Sequence, residues 1–237
     1  MKFFPELEDE WKKTFNNLAK ANVENHRASH WTKEGFDIRF AHISPLLRKM
    51  CSSVDGPVLD MGAGPGEYSV CGNNIVSADY SENALKRIFG PAANKRICCD
   101  ISKLPFESES FDGFFTIGML QCLRLNSAIV EEIKRVVKKG SWLLFETLNL
   151  HYSEFNEYFL NRNVSSSVYE IVSNFVIYDS TNLANFIKAF GFEVSPPVFL
   201  YPDGKMSIGE KIRKKMGVNS FAMEKCSRSF YFMARKL

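Results

Sequence analysis

Three glycines at alternate positions, directly behind a short apolar run that ends in an acid, constrain this chain more than any other feature. The stretch reads Pro57-Val58-Leu59-Asp60-Met61-Gly62-Ala63-Gly64-Pro65-Gly66-Glu67-Tyr68. The apolar run predicts a buried strand, and the glycines predict a tight turn ahead of a new helical pattern. Glycine lacks a Cβ and accepts φ > 0, so the backbone here can come close to a ligand. The free N–H groups of a following helix point the same way. Such a turn suits a ribose, a phosphate or a carboxylate. It equally serves as a plain tight turn, and the other strands have to decide between the two.

Those strands repeat the theme. Ile75-Val76-Ser77-Ala78-Asp79 is a second apolar run ending in an acid, reached so soon after Gly66 that little room is left for a helix. A carboxylate there can accept hydrogen bonds from both hydroxyls of a ribose lying across the first turn. Ser81 or Glu82 then opens the next helix. Arg96-Ile97-Cys98-Cys99-Asp100 is a third such run, followed by Leu104-Pro105-Phe106 and Ser110-Phe111-Asp112-Gly113. Phe114-Phe115-Thr116-Ile117 is unbroken and apolar, as the buried centre of a parallel sheet requires. Ile129–Val137 reads as an amphipathic helix stopped by Lys138, Lys139 and Gly140. Ser141–Thr147, Phe192–Tyr201 (bent by Pro196 and Pro197) and Ser229–Ala234 supply three more strands. Alternating αβ units of this kind imply an α/β fold, a doubly wound, mostly parallel seven-stranded sheet.

The dinucleotide fingerprint G-x-G-x-x-G would need its third glycine where Glu67 stands, so the turn departs from it. The pattern D-x-G-x-G-x-G instead resembles motif I of the class I S-adenosylmethionine-dependent methyltransferases. Asp79-Tyr80-Ser81-Glu82-Asn83-Ala84-Leu85 resembles that family's second motif, whose acid holds the ribose. The Asp100…Leu104-Pro105-Phe106…Ser110-Phe111-Asp112 series is similar to a third, whose Asp accepts from the adenine amino group while the next apolar residue packs on the ring. Gly118–Leu123 resembles the segment that faces the methionine end and the reacting methyl.

The resemblance implies a Rossmann-like fold and S-adenosyl-L-methionine as cofactor, with S-adenosyl-L-homocysteine as product. It implies cofactor contacts from Asp60, Gly62, Ala63, Gly64, Gly66, Asp79, Tyr80, Asp100, Ile101, Thr116 and Ile117. The expected reaction is in-line methyl transfer to an oxygen or nitrogen of a small molecule, in the manner of the ubiquinone-biosynthesis methyltransferases. Gly62–Ser81 and the Leu-Pro-Phe pattern also look like the tRNA wobble-uridine methyltransferases, which keeps tRNA as an alternative partner. A methyltransferase-like fold used as a non-catalytic binding protein is a third reading, and a nicotinamide-using dehydrogenase a fourth.

Around the cofactor core (53–150), the chain reads as one domain, 1–237. Residues 1–52 form cap helices: Leu7, Trp11, Phe15 and Leu18 recur at helical spacing, then Phe36, Phe40, Ile43, Leu46 and Leu47. Trp31 and Arg39 are pocket candidates there. His26 and His30 stand four apart but lack the intervening Glu and a third ligand, so no metal site is expected. The aromatic segment 151–180 follows the carboxyl end of a sheet strand and reads as a substrate lid, with 181–237 completing the sheet. His151 is the candidate base and Tyr152 a pocket candidate, although a surface loop explains both. Gln121 either touches substrate or caps a helix.

Composition narrows the partners. A net charge of +3 over 237 residues argues for neither nucleic acid nor membrane, and the basic residues at 211–215 read as a solvated helix face. No apolar run reaches the ~20 residues of a membrane span, and the acidic N-terminal segment does not read as a signal peptide. The six cysteines form no C-x-x-C pair, which points to reduced thiols and a cytoplasmic location.

Overall fold

The apolar runs form one eight-stranded sheet whose order fixes where a ligand can bind. The computed structural model describes residues 5–21, 24, 33–151, 169–172, 175–200 and 229–237. Strands β1 (Val58–Met61), β2 (Ile75–Asp79), β3 (Arg96–Cys98), β4 (Phe111–Ile117), β5 (Val137–Leu148), β8 (Phe192–Val194), β9 (Val198–Leu200) and β10 (Ser229–Lys236) make it up. The order is β3-β2-β1-β4-β5-β10-β8, with β9 also on β10. Strand β1 pairs in parallel with both β2 and β4, so the strand order reverses at β1. The crevice beyond the carboxyl ends of strands at such a reversal is where open α/β sheets bind ligands. The glycine turn leaves from that point.

Every residue of β1 and nearly all of β4 are buried because both sheet faces are covered. On one face Leu59, Phe114 and Phe145 pack with Ile129, Val130 and Ile133 of helix α4 (Ser127–Val136). On the other, Val58, Phe115 and Leu144 pack with Ile43 and Leu47 of helix α2 (Lys33–Ser52). Helix α1 (Pro5–Lys20) buries Trp11, and its Asn16 side chain accepts from the Ser81 hydroxyl and the Asn83 amide. Ser81 caps the short helix α3 (Glu82–Leu85), as its sequence position predicts. The Leu104-Pro105-Phe106 turn is pinned from α4: Glu132 accepts the Leu104 N–H, and Arg135 donates to the Leu104 and Phe106 carbonyls.

The sheet keeps seven strands in one path, as expected, and the Pro196-Pro197 pair, which lacks N–H donors, splits the 192–201 strand into β8 and β9, adding an eighth on β10. Two expectations need correction. Lys138, Lys139 and Gly140 do not end a helix. Strand β5 starts at Val137, straight after α4, and the ladder slips between Phe111 and Gly113, with Gly140 at φ 80°. Finally, a single 3-10 turn, Ser69–Cys71, follows the glycines where a helix would point its N–H groups at a ligand.

Within 151–180, β6 (Tyr169–Val172) and β7 (Phe175–Tyr178) form a two-stranded ribbon in which Val176, Ile177 and Tyr178 are fully buried. The Tyr178 hydroxyl donates to the Leu123 carbonyl and accepts the Leu125 N–H. Lid residues 152–168 and 173–174 lie outside the described residues, as does the basic run at 211–215. Among the described residues no helix is long and apolar enough to cross a membrane.

Asp179 ends the ribbon, caps helix α5 (Ser180–Lys188) through the Asn182 N–H, and meets His151 Nε2 at 2.7 Å. Burial pushes its carboxyl up, but the His151 and Asn182 hydrogen bonds prevail and hold it below the usual carboxylate range. Its stabilisation is therefore present above pH ~4 and is lost as pH falls through the lowered native value. Asp179→Ala removes cap and clasp together, an expected cost of about 1–2 kcal/mol. The melting temperature at pH 7 should then fall by about 2–8 °C, and the gap from wild type should shrink at pH 3. Calorimetry at the two pH values checks both.

Candidate active site

The carboxyl ends of β1 to β4 converge on two adjoining cavities. Gly62 turns at φ 75°, donating its N–H to the Ala78 carbonyl, and a Cβ there would lie 2.6 Å from Met119 Cβ. Gly66, at φ 86°, would drive a Cβ within 2.6 Å of Ile88 Cγ1. Gly64 differs: at φ 54° its Cβ would meet only Glu67 Oε2, at 3.7 Å, so its open side faces the inner cavity. Two of the glycines let the chain fold back on itself, and the middle one leaves space for a guest.

Asp79 latches this turn. Its Oδ2 accepts the Gly64 N–H at 2.9 Å and its Oδ1 the Ser81 N–H at 2.8 Å. Burial pushes the carboxyl up, against the pull of the Ser81, Gly64 and Tyr80 N–H groups. The side chain still lines the inner cavity, with Gly62, Gly64, Tyr80, Ile117, Gly118, Met119 and Gln121. Phe15 and Ala19 of α1 cover it. The outer cavity is lined by Tyr80, Cys98, Cys99, Asp100, Ile101, Met61 and Leu123. Asp100 is fixed by the Ser102 N–H and hydroxyl, both donating to its Oδ1. Gly62, Tyr80, Met119 and Cys122 belong to both cavities, so the two run into each other.

The inner cavity ends on a buried polar cluster. Arg39, 4% exposed, reaches in from α2 and meets Glu146 of β5 at 3.6 Å. A Cβ on Gly118 (φ 74°) would sit 2.9 Å from Arg39 Nη1, so the guanidinium lies directly under that turn. Burial pushes the Glu146 carboxyl up, and Arg39, the Ser229 hydroxyl and the Gly118 N–H pull it back. Beside them the buried Tyr68 hydroxyl has no hydrogen-bond partner among the described residues.

The structure therefore gathers Gly62, Gly64, Asp79, Tyr80, Asp100, Ile101, Ile117, Arg39 and Gln121 round one cleft. Four expected contacts line neither cavity. Asp60 is buried under the turn, its carboxyl pushed well above the usual range by burial, Glu67 and Asp79. Ala63 spends its N–H on the Ala78 carbonyl, Gly66 packs on Ile88, and Thr116 is fully buried in the sheet. His151 lines neither cavity and is held by Asp179. Trp31 and Tyr152 lie outside the described residues. No group of three metal-ligating side chains occurs among the described residues.

Sequence reasoning missed Tyr68, Glu67 and Glu146. Tyr68 follows the third glycine by two positions, and an acid inside the apolar strand Trp142–Leu148 was a signal in plain view. The cleft offers an apolar face and a carboxylate in the outer cavity, the Asp79 carboxylate where the cavities join, and the Arg39 guanidinium in the inner one.

Residues 59–145 match the family model described as a methyltransferase domain. The chain is 30% identical over 171 residues to an uncharacterized protein of Methanocaldococcus jannaschii, covering 69% of this chain and 73% of that one. It is 31% identical over 133 residues to the malonyl-[acyl-carrier protein] O-methyltransferase of Buchnera aphidicola, covering 53% of this chain and about half, 52%, of that protein. Among solved structures, geranyl diphosphate C-methyltransferase of Streptomyces coelicolor, in complex with S-adenosyl-L-homocysteine, superposes over 100% of both chains with a TM-score of 0.64 at 13% identity.

Proposed function

The chain belongs to the class I S-adenosylmethionine-dependent methyltransferases, and we propose that it methylates an oxygen or nitrogen atom of a small molecule. One observation supports the substrate class: the inner cavity has apolar walls, Phe15, Ile117 and Met119, and polar side chains of both signs, Arg39, Glu67, Asp79 and Arg87, with Gln121 beside them. A concave site with apolar walls and convergent polar groups suits a small ligand. The acyl-carrier-bound and prenyl substrates in the names of its relatives agree with this class.

The residues fit the cofactor. The open side of Gly64 gives a backbone cradle, Asp79 offers its carboxylate to a ribose diol, and Asp100 with Ile101 offers an acceptor and an apolar face to adenine. S-adenosylmethionine supplies, when bound, a methyl on a cationic sulfur that is already electrophilic. The protein's own contribution is alignment and exclusion of water, and alignment can account for roughly 7–11 kcal/mol of a barrier. In this reading α1 excludes water through Phe15 and Ala19, and Gln121 orients the acceptor. The five described cysteines are free thiols, the state that a reducing cytoplasm maintains.

The purified protein is incubated with methyl-labelled S-adenosylmethionine and fractionated cell extract. Label in the small-molecule fraction supports this reading. Label in the RNA fraction overturns it in favour of a tRNA substrate.

A further inference from the structure

We infer that the outer cavity is a thiol-modification site, in which Cys98 captures a small disulfide and the resulting mixed disulfide shuts the nucleoside end of the cofactor out. The blocking effect rests on the cofactor assignment, whereas the capture itself rests on the thiols alone. Of the five described cysteines, three line this one cavity: Cys98, Cys99 and Cys122. Cys99 follows Cys98 directly, and Cys122 comes from the segment after β4 and borders the inner cavity as well. The other two, Cys51 and Cys71, are buried in the core between α2 and the sheet. Thiols therefore gather where Asp100 and Ile101 offer an acceptor and an apolar face.

Access and surroundings single out Cys98 within the cluster. It closes β3, an edge strand of the sheet, and is exposed, with its Sγ donating to the Tyr80 carbonyl at 3.5 Å. That hydrogen bond holds the sulfur beside Tyr80, which borders both cavities. Cys99 is half-buried, and burial, with Cys98, Asp79 and Asp100, pushes its thiol up to about 11. Burial pushes the Cys122 thiol further up. Both stay protonated at neutral pH, and the thiolate, not the thiol, is the nucleophile. Lys12 brings a cation to the same cavity, the setting in which exposed thiols react. Asp100, the anion there, is engaged by Ser102. In the exchange the Cys98 thiolate attacks one sulfur of the disulfide and the S–S bond breaks. The departing thiolate takes up the proton that Cys98 released, so Cys98 is oxidised and half of the reagent is reduced to a thiol. The cavity, about 360 Å³, lies at the small end of ligand sites and cannot hold a peptide-sized adduct and adenosine together.

The probe is glutathione disulfide, applied to the reduced full chain and read by peptide mass mapping and by calorimetric titration with S-adenosylhomocysteine. The adduct is expected on Cys98. Treatment should weaken S-adenosylhomocysteine binding at least about a hundredfold, and dithiothreitol should restore it. Ligand at about 100 times its Kd leaves about 1% of sites open, so its presence should slow the modification roughly a hundredfold. Cys98→Ser should bind S-adenosylhomocysteine equally with and without treatment. An adduct on Cys99 or Cys122 in preference to Cys98, a Cys98 adduct that leaves affinity unchanged, or no adduct on Cys98 overturns the inference. Failure of the untreated wild type to bind S-adenosylhomocysteine would instead overturn the cofactor assignment, and the mass map would still decide whether Cys98 captures the disulfide.

Discussion

Asp79→Ala is expected to weaken S-adenosylhomocysteine binding by at least about a hundredfold while leaving a folded protein. Asp79 lines the cavity from the end of β2, and in the proposed cofactor site its carboxylate offers its remaining acceptor capacity to two ribose hydroxyls. A hydrogen bond to a charged group contributes about 1.5–3 kcal/mol, so losing two exceeds a factor of a hundred. Alanine also releases the Gly64 and Ser81 N–H groups, which loosens the turn itself. Against this, the wild type buries a carboxylate whose ionised form is disfavoured by desolvation. The two effects oppose each other, so the change in stability should stay within about 2 kcal/mol. Because burial raises this carboxyl, wild-type affinity should begin to fall at a pH above the usual carboxylate range as the acceptor is protonated. Calorimetric titration across pH, with a thermal melt of each variant, checks all three. Unchanged affinity in the alanine variant would remove Asp79 from the ribose site.

Phe145→Ala should give the largest loss of stability, about 3–5 kcal/mol. Phe145 is 1% exposed at the seam between the parallel and antiparallel halves of the sheet. Its ring lies 5.6 Å from Phe114 of β4 and 5.3 Å from Phe232 of β10. Neighbours held by the ladders on both sides leave the site little freedom to collapse, so the cavity term stays large. At about 2–4 °C per kcal/mol the melting temperature falls by roughly 6–20 °C. Urea unfolding should show a lower midpoint with an unchanged slope, since the surface exposed on unfolding is nearly the same. A loss below about 1 kcal/mol would mean that the three rings do not share one packed layer.

How much of this was legible in the sequence follows from distance along the chain. Asp79 and Asp100 each end a short apolar run, and a parallel sheet brings strand ends to one edge, so local pattern located half the cleft. Arg39 and Glu146 stand 107 positions apart, and no local pattern joins a helix residue to a strand residue across a sheet. Asp179 meets His151 across a ribbon turn for the same reason. The errors were local conflicts. Lys138-Lys139-Gly140 carries a helix-stop signal that the ladder with β4 overrides, placing Gly140 in a slipped register instead. Asp60 and Thr116 stand in segments that resemble ligand-facing motifs, and both are buried and line neither cavity.

The three-residue turn at Ser69–Cys71 has a consequence for how this enzyme can be altered. A long helix starting there would meet a negative tail with a field spread over its whole first turn, which no single substitution can erase. A single 3-10 turn has no such field, so charge in the cleft comes from the side chains that line it, Arg39, Glu67, Asp79 and Arg87, and a side chain can be exchanged by one codon.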